Sequence, residues 1–198
     1  MTLHADAVRV LSDWTPPTPA QARLRERYLA HLAAHPDAML RECRPNHLTA
    51  STLVLSRDRS RVLLTLHAKA RQWFQLGGHC EPGDPTLAAA ALREATEESG
   101  VGDLRLDPVP VHLSEHAVPF CGTDGAARHL DVRFLAVADD DAGHAVSEES
   151  LDVAWWPVHA LPNDELLELV ELAVDRSSGH STSSGGASMW AAADQPSR

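Results

Sequence analysis

Sulfur, positive charge and long apolar runs are all scarce in this chain, and each scarcity narrows its reading. The 198 residues hold three cysteines, Cys43, Cys80 and Cys121, and no CxxC pair. An odd number without paired spacing argues against a disulfide framework and fits reduced thiols, so a cytoplasmic protein is expected. No apolar stretch approaches ~18 residues, the length needed to cross a bilayer, so no membrane association is expected. The first residues, MTLHADAVRVLSDW, lack a basic region followed by an apolar run and do not read as a signal peptide. Cations are outnumbered, 17 Lys+Arg against 28 Asp+Glu, for a formal net charge of −11. A surface of that sign repels polyphosphate backbones, which argues against long nucleic acid as a standing partner. A small anionic ligand is compatible with it if a cation screens the acids locally.

What is present is enough for one domain with its own core: 43% of the residues are hydrophobic. TPPTPA, residues 15–20, reads as a turn and helix start, with Thr18 as cap and Pro19 at the first helical position. Leu24, Tyr28 and Leu32 then recur at intervals of four, which gives one apolar helical face, and Pro36 ends it. The period changes to two in HLTASTLVLS and RVLLTLHA, joined by the polar turn RDRS, which is a hairpin pattern. QWFQL reads as a short strand leading into Gly77-Gly78. Three further strand-like runs follow: LRLDPVPVHLSEHAV, HLDVRFLAVA and DVAWWPV. LPNDELLELVELAVDR reads as a helix capped by Asn163 or Asp164. The order of helix, strands, helix, strands, helix predicts an α+β fold. The Ser/Gly-rich end is expected to be a disordered tail over 177–198.

The most informative stretch is GGHCEPGDPTLAAAALREATEESGV, Gly77 to Val101. Pro85 and Thr86 open a helix and Gly100 closes it. Ala88, Ala91, Leu92 and Ala95 form its apolar stripe. Glu94, Glu97 and Glu98 fall within roughly 100° of arc beside that stripe. Arg93 is the only cation within the helix, and the helix dipole disfavours acids at this end. Three repelling carboxylates there are a poor structural choice, and a divalent cation would resolve the conflict. An all-oxygen site suits Mg²⁺ or Mn²⁺. A solvated acidic face is the bland alternative. Gly77 and Gly78 tip the balance, because they let the backbone come close to a ligand beside the acids.

These residues resemble the Nudix box, G-x5-E-x7-R-E-U-x-E-E-x-G-U with U aliphatic. Arg93 to Val101 matches the second half at every fixed position, with Ala95 as a small version of the aliphatic residue, and Gly78 matches the first glycine. Two positions depart from it. Asp84 stands where the first Glu is expected, and eight residues rather than seven separate it from Arg93. The resemblance implies an α/β/α sandwich with a mixed β-sheet, here with an N-terminal helical extension over 1–44 and the Nudix domain over 45–176. It also implies metal-dependent hydrolysis of a nucleoside diphosphate linked to another moiety. By matching position, Glu97 and Glu98 would be the principal metal ligands. Glu94 would be a further ligand or the base that activates water. The Gly77 carbonyl would join the metal shell, and Arg93 would orient the glutamates.

Outside the box, Glu149 is the first candidate for a further acidic ligand or base, ahead of Glu148, with a solvated loop acid as the alternative. Gly78, His79 and Arg133 are substrate-binding candidates. A surface ion pair is the plainer reading of Arg133. His47, His79, His116 and His129 show no tight zinc-ligand spacing such as HxxxH, so no histidine metal site is expected. Trp73 and Phe74 could stack on a base, though one of them belongs in a core, and one of Trp155 and Trp156 should be buried. The N-terminal extension is expected to pack on the domain or to form a homodimer contact. Two rival functions keep the fold. A nucleotide sensor without turnover has no need of all three glutamates. An isomerase of small diphosphates depends on a catalytic cysteine, which the contexts of Cys43 and Cys121 do not provide.

Overall fold

A computed structural model describes residues 1–119, 121, 127–139, 143 and 150–181. Among them, seven strands form one mixed sheet: β1 (Asn46–Ser56), β2 (Arg61–His67), β3 (Trp73–Phe74), β4 (Leu76–His79), β5 (Arg105–Ala117), β6 (Arg128–Ala138) and β7 (Ser150–Pro157). Four helices flank it: α1 (Leu3–Asp13), α2 (Pro19–Ala34), α3 (Leu87–Ser99) and α4 (Leu167–Ser181). The fold is the expected α/β/α sandwich with an N-terminal helical extension.

β1 organises the sheet. One edge runs parallel to β6 along its whole length, from Asn46↔Arg128 to Ser56↔Ala138. The other edge is shared. Its first half pairs antiparallel with β4, where Thr49 faces His79 and Ser51 faces Gly77. Its second half pairs with β2, where Val54 faces Leu63, so the hairpin read from the alternating pattern is present. QWFQL does not make one strand. It divides at Gln75 into β3, which pairs with β2, and β4, which crosses to β1.

Strand periodicity sorts β1 into two faces. Leu48, Ala50 and Val54 point to the side that α1, α2 and α3 cover. Leu53 and Leu55 point to the other side, under Leu166, Leu169, Val170 and Ala173 of α4 and the turn before it. The predicted cap of that last helix is absent. Asn163 makes no capping hydrogen bond, and its Nδ2 donates instead to the Trp73 carbonyl at 2.9 Å. A 3-10 turn, Asp164–Leu166, opens the helical segment. α4 continues to Ser181, past residue 177 where the tail was expected to start. Trp155 and Trp156 are both half-buried, on opposite faces, so neither is the fully buried partner expected. Trp73 joins the α4 side, with its ring 5.3 Å from that of Trp156.

The extension packs on the domain. Leu11, Trp14, Tyr28 and Leu32 enter one core with Leu87, Ala90 and Ala91 of α3. Thr18 caps α2 as read, accepting from Gln21 N. Gln21 then acts almost as a strand residue: Leu113 N donates to its Oε1 at 2.7 Å, and its Nε2 donates to Leu113 O at 3.1 Å. The pattern reading had not singled out α1, whose Asp6 is fully buried. Its Oδ2 accepts from Leu87 N at 2.9 Å, in the first turn of α3, while Arg9 holds its Oδ1 at 2.7 Å. A carboxylate at a helix N-terminus satisfies an orphan donor and complements the dipole. Asp6→Ala leaves that N–H buried without a partner, and we expect it to cost about 1–3 kcal/mol in chemical denaturation. No change in the denaturation midpoint would show that α1 does not support α3.

Candidate active site

The site grows from the junction of β4 and α3. Thr86 caps α3 by accepting from Ala89 N at 3.1 Å, and Gly100 ends it in the left-handed region at φ 70°. The apolar stripe lies slightly off the expected one. Leu87, Ala90, Ala91 and Ala95 are buried, while Ala88 and Leu92 are only half-buried. That rotation carries Glu98 inward, where it is itself buried. Glu94 lies beside it at the lip, and Glu97 points outward.

The sequence reading left these acids without local relief, and the fold supplies part of it. Gly77 N donates to Glu98 Oε2 at 2.8 Å. Arg93 reaches Glu94 Oε1 at 3.1 Å and Glu97 Oε2 at 3.0 Å through the same Nη1. Its other face grips Asp84 with two parallel bonds, Nε to Oδ1 and Nη2 to Oδ2, both 3.0 Å. Nη2 also donates to the His79 carbonyl at 3.0 Å. Paired donors of this kind give both strength and orientation. Asp84 further accepts from Glu81 N at 2.7 Å. Burial works to raise the Asp84 pKa, but the Arg93 fork and the Glu81 N–H outweigh it and hold it below the usual carboxylate value. The Arg93 pKa is raised, chiefly by Asp84. Glu81 itself stays exposed, 3.9 Å from Arg93, so Asp84 fills the position of the expected first Glu despite its shorter side chain.

Contact constrains the two glycines unequally. A Cβ on Gly78 would lie 2.7–2.9 Å from the Glu94 carboxyl atoms. A Cβ on Gly77 would lie 2.2 Å from Ser51 Cβ and 2.5 Å from Ser51 Cα, and Gly77 holds φ at 153°. The backbone thus passes directly against the carboxylates. Hard carboxylate oxygens packed on a side-chain-free turn suit a hard divalent cation. Burial pushes the Cys80 thiol up to about 12, with Asp84 and Glu94 adding to the effect, which disfavours the thiolate that a nucleophile needs.

A second polar network lies on the α4 side of the sheet. Thr49 Oγ1 donates to Asp131 Oδ1 at 2.9 Å, and Ser51 Oγ, Gln75 Nε2 and Arg133 Nε all donate to Oδ2, at 2.8, 3.2 and 2.9 Å. Burial alone would raise the Asp131 pKa, but Arg133 and the hydroxyl donors keep it lowered. Arg133 is therefore a buried ion pair and not a surface one. His112 faces Arg133 across β5 and β6. Burial, helped by Arg133, lowers its pKa to about 4 against the pull of Glu168, 3.5 Å from its Nε2. Sequence reasoning missed Asp131 and Gln75. The signal was there: His129, Asp131 and Arg133 alternate on β6 where a core strand would carry apolar residues.

His79 turns its ring away from the glutamates' side chains toward His47, His129 and Cys121. Phe74 is half-buried with its ring 6.3 Å from that of His67. Glu148 and Glu149 lie outside the described residues.

The fold and this helix define a class: an α/β/α sandwich that presents helix-borne carboxylates to a glycine turn. A family model described as the NUDIX domain matches residues 45–173, and the chain belongs to the Nudix family. The match begins after α2, so α1 and α2 lie outside it. No curated protein matches the sequence. Solved structures do. A NUDIX-family hydrolase from Clostridium perfringens is 23% identical, with TM-score 0.54, over 66% of this chain and 97% of that one. A C. elegans Ap4A hydrolase, solved as a binary complex, is 17% identical, with TM-score 0.55, over 67% and 98%. The NUDIX domain of Shewanella oneidensis NrtR, complexed with ADP ribose, is 20% identical, with TM-score 0.52, over 66% and 87%. At these identities the likeness speaks for the fold.

The two glycines should fail differently. Gly77→Ala drives a side chain into the β1 backbone and is expected to lower the melting temperature or abolish soluble expression. Gly78→Ala meets only the movable end of Glu94 and is expected to keep the fold while weakening Mn²⁺ binding, read by calorimetry. A normal melting temperature for Gly77→Ala would contradict the strand pairing described.

Proposed function

We propose that this chain is a divalent-metal-dependent pyrophosphohydrolase. Its substrate class is a nucleoside diphosphate linked to another moiety. The observation that carries this reading is the ordering of Glu94 and Glu98 by groups outside the metal shell: Arg93 Nη1 for one and the Gly77 N–H for the other. Carboxylates fixed in this way are preorganised for a cation and its phosphate ligands. Mg²⁺ or Mn²⁺ would be held by Glu94, Glu97 and Glu98, with the Gly77 carbonyl as a further donor. When bound, such a cation neutralises pyrophosphate charge and lowers the pKa of bound water.

The chain's own residues do the rest. Arg93 fixes the directions of Glu94 and Glu97 and ties them to the glycine turn through the His79 carbonyl. Glu94, at the lip against Gly78, would take a proton from attacking water or bind a cation. Asp84 acts through Arg93 and is a positioning residue. Gly78 remains the proposed substrate contact outside the carboxylates, and Glu149 the proposed acid from the segment before β7; His79, whose ring faces His47, His129 and Cys121, and Arg133, buried against Asp131, do not keep that role. The structures of an Ap4A hydrolase and of a NUDIX domain with ADP ribose support a nucleotide-derived substrate, and the acidic surface agrees with a small ligand.

The test is a panel of nucleoside triphosphates, ADP-ribose, nucleotide sugars, dinucleoside polyphosphates and NADH with Mg²⁺ or Mn²⁺, read by chromatography. Turnover of at least one is expected; binding without turnover across the panel would favour a sensor. On the best substrate, Glu98→Gln should lose at least about two orders of magnitude in kcat. It should keep its melting temperature, because the amide oxygen can still accept from Gly77 N. Asp84→Asn should retain measurable turnover with a lower melting temperature, since it breaks the Arg93 fork. Equal losses of kcat for the two variants would overturn the assignment of roles.

A further inference from the structure

The histidines that show no metal-ligand spacing in the sequence converge in space. We infer that His47, His79, His129 and Cys121 form a site for one zinc-class transition-metal ion, distinct from the glutamate site. The four come from β1, β4, β6 and the segment between β5 and β6, so no short motif announces them. One donor atom from each lies within 4.8 Å of all the others. Register explains the convergence. His47 pairs with His129 across β1 and β6, and His79 pairs with Thr49, two residues along β1, so all three rings share one face of the sheet.

The distances fit tetrahedral coordination. Cys121 Sγ lies 3.6 Å from His79 Nε2 and 3.9 Å from His47 Nε2. With Zn–S about 2.3 Å and Zn–N about 2.0–2.1 Å, a tetrahedron has S···N edges of about 3.6 Å. Two further observations point to a ligand. His47 Nδ1 lies 3.3 Å from the Cys43 carbonyl, so the proton sits on Nδ1 and the Nε2 lone pair is left facing Cys121. This is the outer-shell hydrogen bond that orients a metal-binding imidazole. His129 Nε2 is buried with no hydrogen-bond partner among the described residues, an unfavourable state for a polar nitrogen. A metal resolves both.

Three imidazole nitrogens and a thiolate select Zn²⁺, Co²⁺ and similar ions, whereas the all-oxygen glutamate set suits Mg²⁺ or Mn²⁺. The two sites thus sort metals by ligand softness. Binding converts the Cys121 thiol to a thiolate and releases its proton to solvent. Four protein ligands leave no open position, so the role is structural. The ion would pin Cys121, whose carbonyl already accepts from Arg44 Nη1 at 2.6 Å, to the strand that carries Gly77 and Gly78.

The experiment titrates Co²⁺ into chelator-treated full-length protein in excess Mg²⁺. One equivalent should bind, with tetrahedral d–d bands and a near-ultraviolet thiolate-to-cobalt band. Cys121→Ser should remove the near-ultraviolet band. His129→Gln should weaken binding at least about tenfold, the lower end of what even an outer-shell loss costs. Glu97→Gln should leave both bands, as should Cys43→Ser, which disables the neighbouring grouping of His35, Asp37 and Cys43. A pale octahedral spectrum, or a thiolate band that survives Cys121→Ser, would overturn the site. X-ray absorption at the zinc edge of the wild-type protein decides the question without variants: three nitrogen and one sulfur neighbours support it, and oxygen neighbours alone refute it.

Discussion

The Arg93 guanidinium is the interaction on which the candidate active site depends. One side chain touches four groups from three places in the chain: Asp84 in the loop, the His79 carbonyl on β4, and Glu94 and Glu97 on its own helix. Without it, the C-terminal half of the helix would lose the ties that join Glu94 and Glu97 to the Asp84 loop and the His79 carbonyl. Arginine is needed here because a planar fork can serve two acceptors on one side while its remaining nitrogen serves others, which a lysine ammonium cannot reproduce. The site is only partly neutralised by this arrangement. Arg93 brings one positive charge to the carboxylates of Asp84, Glu94 and Glu97, so net negative charge remains for a divalent ion to take up.

The sheet distributes the work around that hub. Its α1–α3 side is apolar and serves to seat α3, helped by Thr52, whose hydroxyl donates to the Ala91 carbonyl at 3.0 Å. Its α4 side is divided along β1. Leu53 and Leu55 anchor α4, whereas His47, Thr49 and Ser51 carry hydrogen-bonding groups. Keeping Asp131 ionised inside the protein requires four donors at once, and those donors lock β1, β6 and the Gln75 linker together directly behind Gly77. The rigidity of the glycine turn therefore comes from the polar side as well as from the helix side.

How much of this could be read from the sequence follows from the range of each interaction. Thr18, Thr86 and Gly100 were legible as helix boundaries because capping acts over four residues or fewer. The β1–β2 hairpin was legible because its turn is local. The carboxylate face was legible because it lies on one helix. What escaped depends on contacts distant in sequence. Asn163 has the composition of a cap but finds the Trp73 carbonyl ninety residues away. Arg133 resembles a surface cation until β1 and the Gln75 linker enclose it. Relief of the glutamates needed Gly77, twenty-one residues from Glu98. The histidine–cysteine cluster needed the parallel β1–β6 pairing, which no alternation of apolar residues reveals.

The proposed divalent-metal centre lies between α3 and the glycine turn. It is tested most directly by crystals grown with Mn²⁺ and a non-hydrolysable nucleoside diphosphate derivative, with anomalous scattering recorded at the manganese edge. A peak is expected among the carboxylates of Glu94, Glu97 and Glu98 beside Gly77, next to the bound diphosphate. Manganese absent from those glutamates, with the diphosphate bound elsewhere on the protein, would contradict it.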